Sequence, residues 1–181
     1  MLTQMLVREN MQDISKRQIP LTQGATAIIS ASDYSRVSQF KWHLQPRKTK
    51  RKDGSVKLGY YASGMVFGKS TLLHRFILGI YDSKIQVDHR DLDGLNCCRS
   101  NLRIATPSQN QANQICHNPT GFKGVHKNPD RETYRVSIGY KGKNIIIGCF
   151  RNPVAGALAY DEKARELFGD FARLNFPEKR C

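Results

Sequence analysis

The chain has 181 residues, with 29 Lys and Arg against 15 Asp and Glu for a formal net charge of +14. That length allows one ordinary domain or two small ones, and that charge gathers polyanions, so nucleic acid, a membrane surface or an acidic protein are the candidate partners. The membrane is the weakest of these, because the chain has no apolar run of about 18 residues and Met1–Asn10 is too short and polar for a signal peptide.

Without an export signal, a cytoplasmic location and reduced thiols are expected for the five cysteines, Cys97, Cys98, Cys116, Cys149 and Cys181. Adjacent Cys97 and Cys98 are poorly placed to chelate one zinc ion, and there is no C-x2-C pair.

In chain order, residues 1–18 read as a lead-in, either a short helix or unstructured. Ile19–Gly68 reads as β. Ala25–Ile29 is a short apolar run, and Phe40–Leu44 alternates apolar and polar residues as a half-buried strand does. Pro46–Gly54 holds five basic residues and an Asp-Gly turn signal, so it is predicted to be a hairpin tip or loop. Leu58–Ala62 resumes the strand pattern. Ser70–Leu78 fits a short helix with Ser70 as its N-cap.

The densest chemistry lies in 84–113. Lys84–Asp88 is a short β run that delivers Asp88 and His89 at its end. Asp91–Arg99 must loop, and Leu102–Thr106 is a second β run able to pair with the first. Pro107 suits the first turn of a helix capped by Thr106, with Asn110 and Asn113 one turn apart on it. This β-β-α order would let Asp88, His89 and Asn110 converge. A carboxylate and an amide oxygen are hard ligands suited to Mg²⁺, and a neutral imidazole beside them can take a proton from water.

With those residues in view, the segment resembles the HNH motif of the ββα-metal nucleases, above all phage and intron-encoded homing endonucleases. The matching stretches are Val87-Asp88-His89, Gly94-Leu95-Asn96-Cys97-Cys98, Asn101-Leu102-Arg103 and Gln109-Asn110. Leu72–Leu78, Ile19–Gly24 and Phe40–Trp42 resemble the segments that precede the motif, so the likeness spans Ile19 to Asn113. It implies His89 as general base and Asn101 as the loop brace that orients the His backbone. It also implies Asp88 and Asn110 as holders of Mg²⁺ or Mn²⁺. Cys97 and Cys98 stand where the family has Asn and Arg, which removes a loop or phosphate contact. His74, with Arg75, reads either as a phosphate contact or as a helix residue packed on the sheet. Arg103 is counted with the DNA contacts.

Residues 114–120 read as a linker, 121–177 as a second unit and 178–181 as a tail. Strands are predicted at Phe122–Lys127, Tyr134–Tyr140 and Asn144–Phe150, then a helix at Pro153–Phe168 stopped by Gly169. The stretches Gly121–Lys127, Tyr134–Val136, Ile147–Phe150, Ala155–Ala164 and Leu174–Pro177 resemble the AP2 DNA-binding domain. That likeness implies a three-stranded sheet laid in the major groove, with Lys123, His126, Lys127, Arg135, Arg131 and Lys143 as the matching positions on the contact face.

The expected fold class is α+β: a β-rich N-terminal unit leading into a ββα-metal core, then a small three-stranded antiparallel sheet with one helix. The expected function is metal-dependent cleavage of double-stranded DNA by a monomer, in a bacterial host if phage or intron encoded. A DNA-binding regulator with an idle HNH fold and an RNA-binding accessory protein are the alternatives, and charge alone does not separate DNA from RNA.

Overall fold

The structure is a computed structural model that describes residues 15–50, 54, 56–115 and 118–177. The expectations for residues 1–14, for most of the 51–55 tip, for Cys116 and His117 and for the 178–181 tail lie outside the described residues. The fold is mixed α+β, built from small sheets and few helices. The chain divides into two compact units, Met1–Ile104 and Ala105–Cys181.

In the first unit, β1 (Lys16–Pro20) pairs antiparallel with β2 (Thr26–Ser30), with Ile19 opposite Ala27. The strand therefore begins inside the expected lead-in. Ala27 and Ile29 are fully buried while Thr26 is exposed, the period-two pattern of a strand with one face in the core. After the single turn α1 (Tyr34–Val37), the strands β3 (Trp42–Lys50), β4 (Val56–Val66) and β5 (Lys69–Leu72) form an antiparallel meander.

Strand β3 overrides the loop reading of 46–50. Pro46 sits opposite Tyr60, and β3 is an edge strand, where a missing N–H is tolerated. Gly64 is required by close approach, since a Cβ there would lie 2.6 Å from the Lys41 carbonyl oxygen. Ser70 is not a helix cap but a β5 residue paired with Met65. The helix α2 (Leu73–Leu78) starts after Leu72 without a side-chain cap and ends at Gly79, in the left-handed region at φ 67°.

Two further strands, β6 (Gln86–His89) and β8 (Leu102–Ala105), pair as a separate two-stranded sheet. Between them, β7 (Asn96–Cys97) pairs in parallel with β2, where sequence had placed only loop. The core gathers Ile19, Ile29, Trp42, Leu73, Phe76, Ile77, Cys97 and Leu102.

In the second unit, α3 (Pro107–Asn113) opens with the expected cap. Thr106 accepts from the Gln109 N–H, Gln109 returns a bond to the Thr106 N–H, and Pro107 occupies the first turn. An antiparallel sheet follows, ordered β11 (Lys143–Phe150), β10 (Tyr134–Tyr140), β9 (Val125–Lys127). The helix α4 (Pro153–Phe168) packs Ala157, Tyr160, Ala164 and Phe168 against Val125, Val136 and Ile138, and Ala112 of α3 joins this core.

Gly124 has φ 76°, and a Cβ on it would lie 2.0 Å from the Tyr160 ring. The buried Asp161 carboxylate accepts from the Asn175 N–H (2.8 Å), the Asn175 amide (3.0 Å) and the Phe176 N–H (2.8 Å), which fastens the segment after the helix. The described part of 114–120 is no free linker. The Asn118 amide donates to the Phe122 and Val125 carbonyls at 2.8 Å each, and Thr120 Oγ1 donates to Val125 at 2.8 Å.

Candidate active site and nucleic-acid interface

Strand β6 ends on Asp88 and His89, and both are buried, at 3% and 6% exposure. The backbone beyond His89 turns sharply: the Leu92 N–H donates to the His89 carbonyl at 3.0 Å, and Leu92 takes a positive φ of 69°.

Asn101 ties this turn together. Its carbonyl accepts from the Arg90 N–H (2.9 Å) and its side-chain oxygen accepts from the Asp91 N–H (3.1 Å). Its amide donates to the Asp91 carboxylate and to the Asn96 carbonyl, both at 2.8 Å. The Asn96 amide closes the ring onto Asp91 at 2.6 Å. Four polar residues thus satisfy one another at the turn between β6 and β8, around the buried Asn101.

The Asp88 carboxylate faces Arg103 on the neighbouring strand β8. Arg103 Nε donates to Oδ2 at 2.8 Å and Nη2 lies 2.7 Å from the same oxygen. Arg103 is only 9% exposed, and its guanidinium is directed at Asp88. An arginine in a sequence shows its charge but not its burial.

His74, on α2, is likewise turned inward at 5% exposure, its ring centroid 4.9 Å from that of His89 at 81°. Burial first, then the neighbouring His89, Arg75 and Arg47, push the His74 pKa from 6.5 down to about 3. His89 is also lowered, by burial, against the opposing pull of Asp91, Asp88 and Asp93. Both rings are therefore neutral near pH 7. Arg75 spends its guanidinium on the Ile85 carbonyl (2.9 Å) and the Asp82 carbonyl, which pins the loop before β6.

The Cys97-Cys98 departure becomes intelligible here. Both thiols are buried, and Cys97 belongs to the core at 0% exposure. Burial pushes the Cys97 thiol well above its ordinary pKa. The next residue, Arg99, carries the loop-fastening role. It forks onto the buried Asp33 carboxylate at 2.8 Å through Nε and Nη2, and Arg36 reaches the same carboxylate at 2.9 Å. Sequence reasoning missed this triad, whose members lie up to 66 positions apart.

Among the described residues, no group of three or more His, Cys, Asp or Glu side chains is arranged to hold a metal ion. Around the end of β6 the first unit offers the Asp88 carboxylate and the His89 and His74 imidazoles, with Asp91 and Asp93 close enough to act on His89. That donor set fits a cation that keeps most of its shell for water and phosphate, as Mg²⁺ does. Asn110, the other expected oxygen donor, sits half-buried on α3 in the second unit.

In the second unit, His126, Arg135 and Cys149 form one exposed cross-strand row, with Arg135 opposite both of the others. Ile146, 64% exposed, and Asn144 flank it. Neither these two nor Cys149 was singled out from sequence, because a bulge at Val136/Ser137 shifts the alternation. Lys127 lies one residue beyond His126 and so takes the opposite face, where it meets Glu132 at 3.6 Å. Lys143 is exposed at the β10–β11 turn opposite Tyr140. Lys123 is committed elsewhere: its ammonium donates to the Ala112 carbonyl and, at 2.8 Å, to the Gln114 carbonyl at the end of α3.

A strand thus ends in a buried Asp-His pair, an asparagine locks the turn beyond it, and the return strand carries the arginine that pairs with the Asp. The chain belongs to the HNH endonuclease family. It is 36% identical over 157 residues to a protein of Acanthamoeba polyphaga mimivirus named an uncharacterized HNH endonuclease, a match covering 84% of this chain and 75% of that one. It is 34% identical over 89 residues to protein 3.8 of Escherichia phage T7, covering 48% of this chain and 73% of that one. No protein-family profile and no solved structure matches it. No helix among the described residues is long and apolar enough to cross a membrane.

Proposed function

We propose that the chain is a divalent-metal-dependent endonuclease that hydrolyses phosphodiester bonds in double-stranded DNA, with its second unit binding the duplex in the manner of an AP2 module. The observation that carries this reading is the Asp88-His89 pair at the end of β6. It is held by the Asn101 turn, and its imidazole is kept neutral by burial. A neutral, desolvated histidine is the form a general base needs near pH 7.

In the reaction, His89 takes a proton from water as the water oxygen forms its bond to phosphorus. The P–O bond to the 3′ oxygen breaks, and that oxygen leaves with a proton from solvent. Asn101 acts as a positioning residue through the His89 turn. Asp88 would hold Mg²⁺ or Mn²⁺, with water and substrate phosphate filling most of its shell. The cation would supply charge neutralisation at the scissile phosphate and the departing oxygen.

Duplex contacts fall to the exposed residues. Arg135 and His126 lie on the open sheet face and Lys143 at its turn, while Arg47 and Lys48 lie exposed on β3. Arginine alone among these can fork onto a guanine edge.

The test uses supercoiled plasmid. Open-circular or linear product that appears with Mg²⁺, vanishes with EDTA and is lost in Asp88→Asn supports the reading. Cleavage that persists in EDTA refutes it. A second reading, a DNA-binding regulator with an idle site, is favoured by the Asp88–Arg103 pair, which already neutralises the carboxylate. It predicts plasmid retardation in a gel with no change of topoisomer.

A further inference from the structure

The two residues that wall the His89 ring have no role in the reaction above. His74 on α2 meets it edge to face at 4.9 Å between centroids. Tyr61 on β4 flanks both imidazoles, 5.9 Å from His89 and 5.5 Å from His74. Three elements far apart in sequence therefore present three rings to one another.

Tyr61 also underlies the turn that follows His89. A Cβ on Gly94 would lie 3.0 Å from the Tyr61 ring and 2.2 Å from the Tyr60 carbonyl oxygen, so the turn rests on β4 with no room to spare. The same tyrosine thus supports the ring and the backbone beyond it.

The packing is tight and costly. His74 is 5% exposed, and its Nδ1 makes no hydrogen bond among the described residues. A buried polar atom left unsatisfied is rare and wants an explanation other than stability. A leucine here would fill space at no such cost, but it would present no flat edge to an imidazole. Edge-to-face ring pairs restrict the plane of each partner, which a branched aliphatic does not.

Resting on the nuclease reading, we propose that His74 and Tyr61 are positioning residues that form an aromatic seat fixing the plane of the His89 imidazole for proton transfer. Neither touches substrate. Their effect is on the fraction of time the base is aimed at the water, and so on kcat. A displacement on the order of 1 Å at a reacting group costs about 10²-fold in rate.

The experiment compares His74→Ala, His74→Phe, Tyr61→Leu and Tyr61→Phe in the full chain by steady-state cleavage of a duplex and by NMR of the His89 ring protons without DNA. His74→Ala and Tyr61→Leu are expected to lose about 10²-fold in kcat with KM within about twofold of wild type, and to shift and broaden the His89 signals. His74→Phe and Tyr61→Phe keep the flat ring and are expected to stay within about threefold in kcat, with His89 signals near wild type. Wild-type kcat and ring signals in His74→Ala overturn the proposal. So does a His74→Phe as slow as His74→Ala, because the nitrogen and not the ring would then matter. If His74→Ala does not fold, the Tyr61 pair decides by the same criteria. If wild type cleaves nothing, the nuclease reading fails, while the NMR comparison still reports whether the seat exists.

Discussion

The two units handle charge in opposite ways. The first buries it: Asp33, Asp88 and Arg103 are each at most 9% exposed, and Asp33 and Asp88 are held by arginine. The second keeps Arg135 and His126 on the outer sheet face over a core of Val125, Val136, Ile138 and Ala157, with Asp161 buried. Burying a carboxylate and an imidazole costs stability. Cations left on an open sheet face stay in water, where they cost little.

That contrast is sharpest in what single substitutions should do. Arg103→Met removes the guanidinium that faces the buried Asp88 carboxylate and is expected to destabilise the chain by about 3–5 kcal/mol in urea unfolding. Arg135→Ala, on the open face, is expected to change stability by less than about 0.5 kcal/mol. Equal effects would erase the distinction. In the second unit the counterpart is Asp161→Ala. It strands the Asn175 and Phe176 N–H groups and is expected to cost about 1.5–3 kcal/mol.

Acid should separate the units as well. With His74 at about 3 in the fold and about 6.5 unfolded, the folded state binds fewer protons between those values. The stability this neutral ring contributes is full above about pH 6.5 and is lost as pH falls toward about 3, at up to roughly 1.4 kcal/mol per pH unit. His89 adds loss in the same direction. Urea midpoints at pH 7 and pH 5 should therefore differ more in wild type than in His74→Phe. The smallest expected effect is on binding: Arg135→Ala and Lys143→Ala should each reduce the salt dependence of duplex affinity by about 0.9 in log-log slope.

Local signals made much of this legible in the sequence. Pro153–Phe168 and Tyr134–Tyr140 are read at their observed bounds, because apolar period and flanking turns agree there. The Thr106-Pro107 helix start is legible for the same reason: its cap chemistry lies within four residues. What escaped is non-local. A two-residue parallel strand at Asn96–Cys97 has no period to detect, and its partner is β2. Ser70 looks like a cap until it is seen paired to Met65. The basic residues were the hardest: Arg75, Arg99, Arg103 and Lys123 all turn to backbone carbonyls or buried carboxylates, and composition records only their charge.

The most direct test of the account is cleavage of supercoiled plasmid in Mg²⁺ by wild type and His89→Ala, with duplex binding measured alongside. Loss of about 10²- to 10⁴-fold in nicking or linearisation, with binding retained, is the predicted result. Cleavage by His89→Ala at the wild-type rate would contradict it.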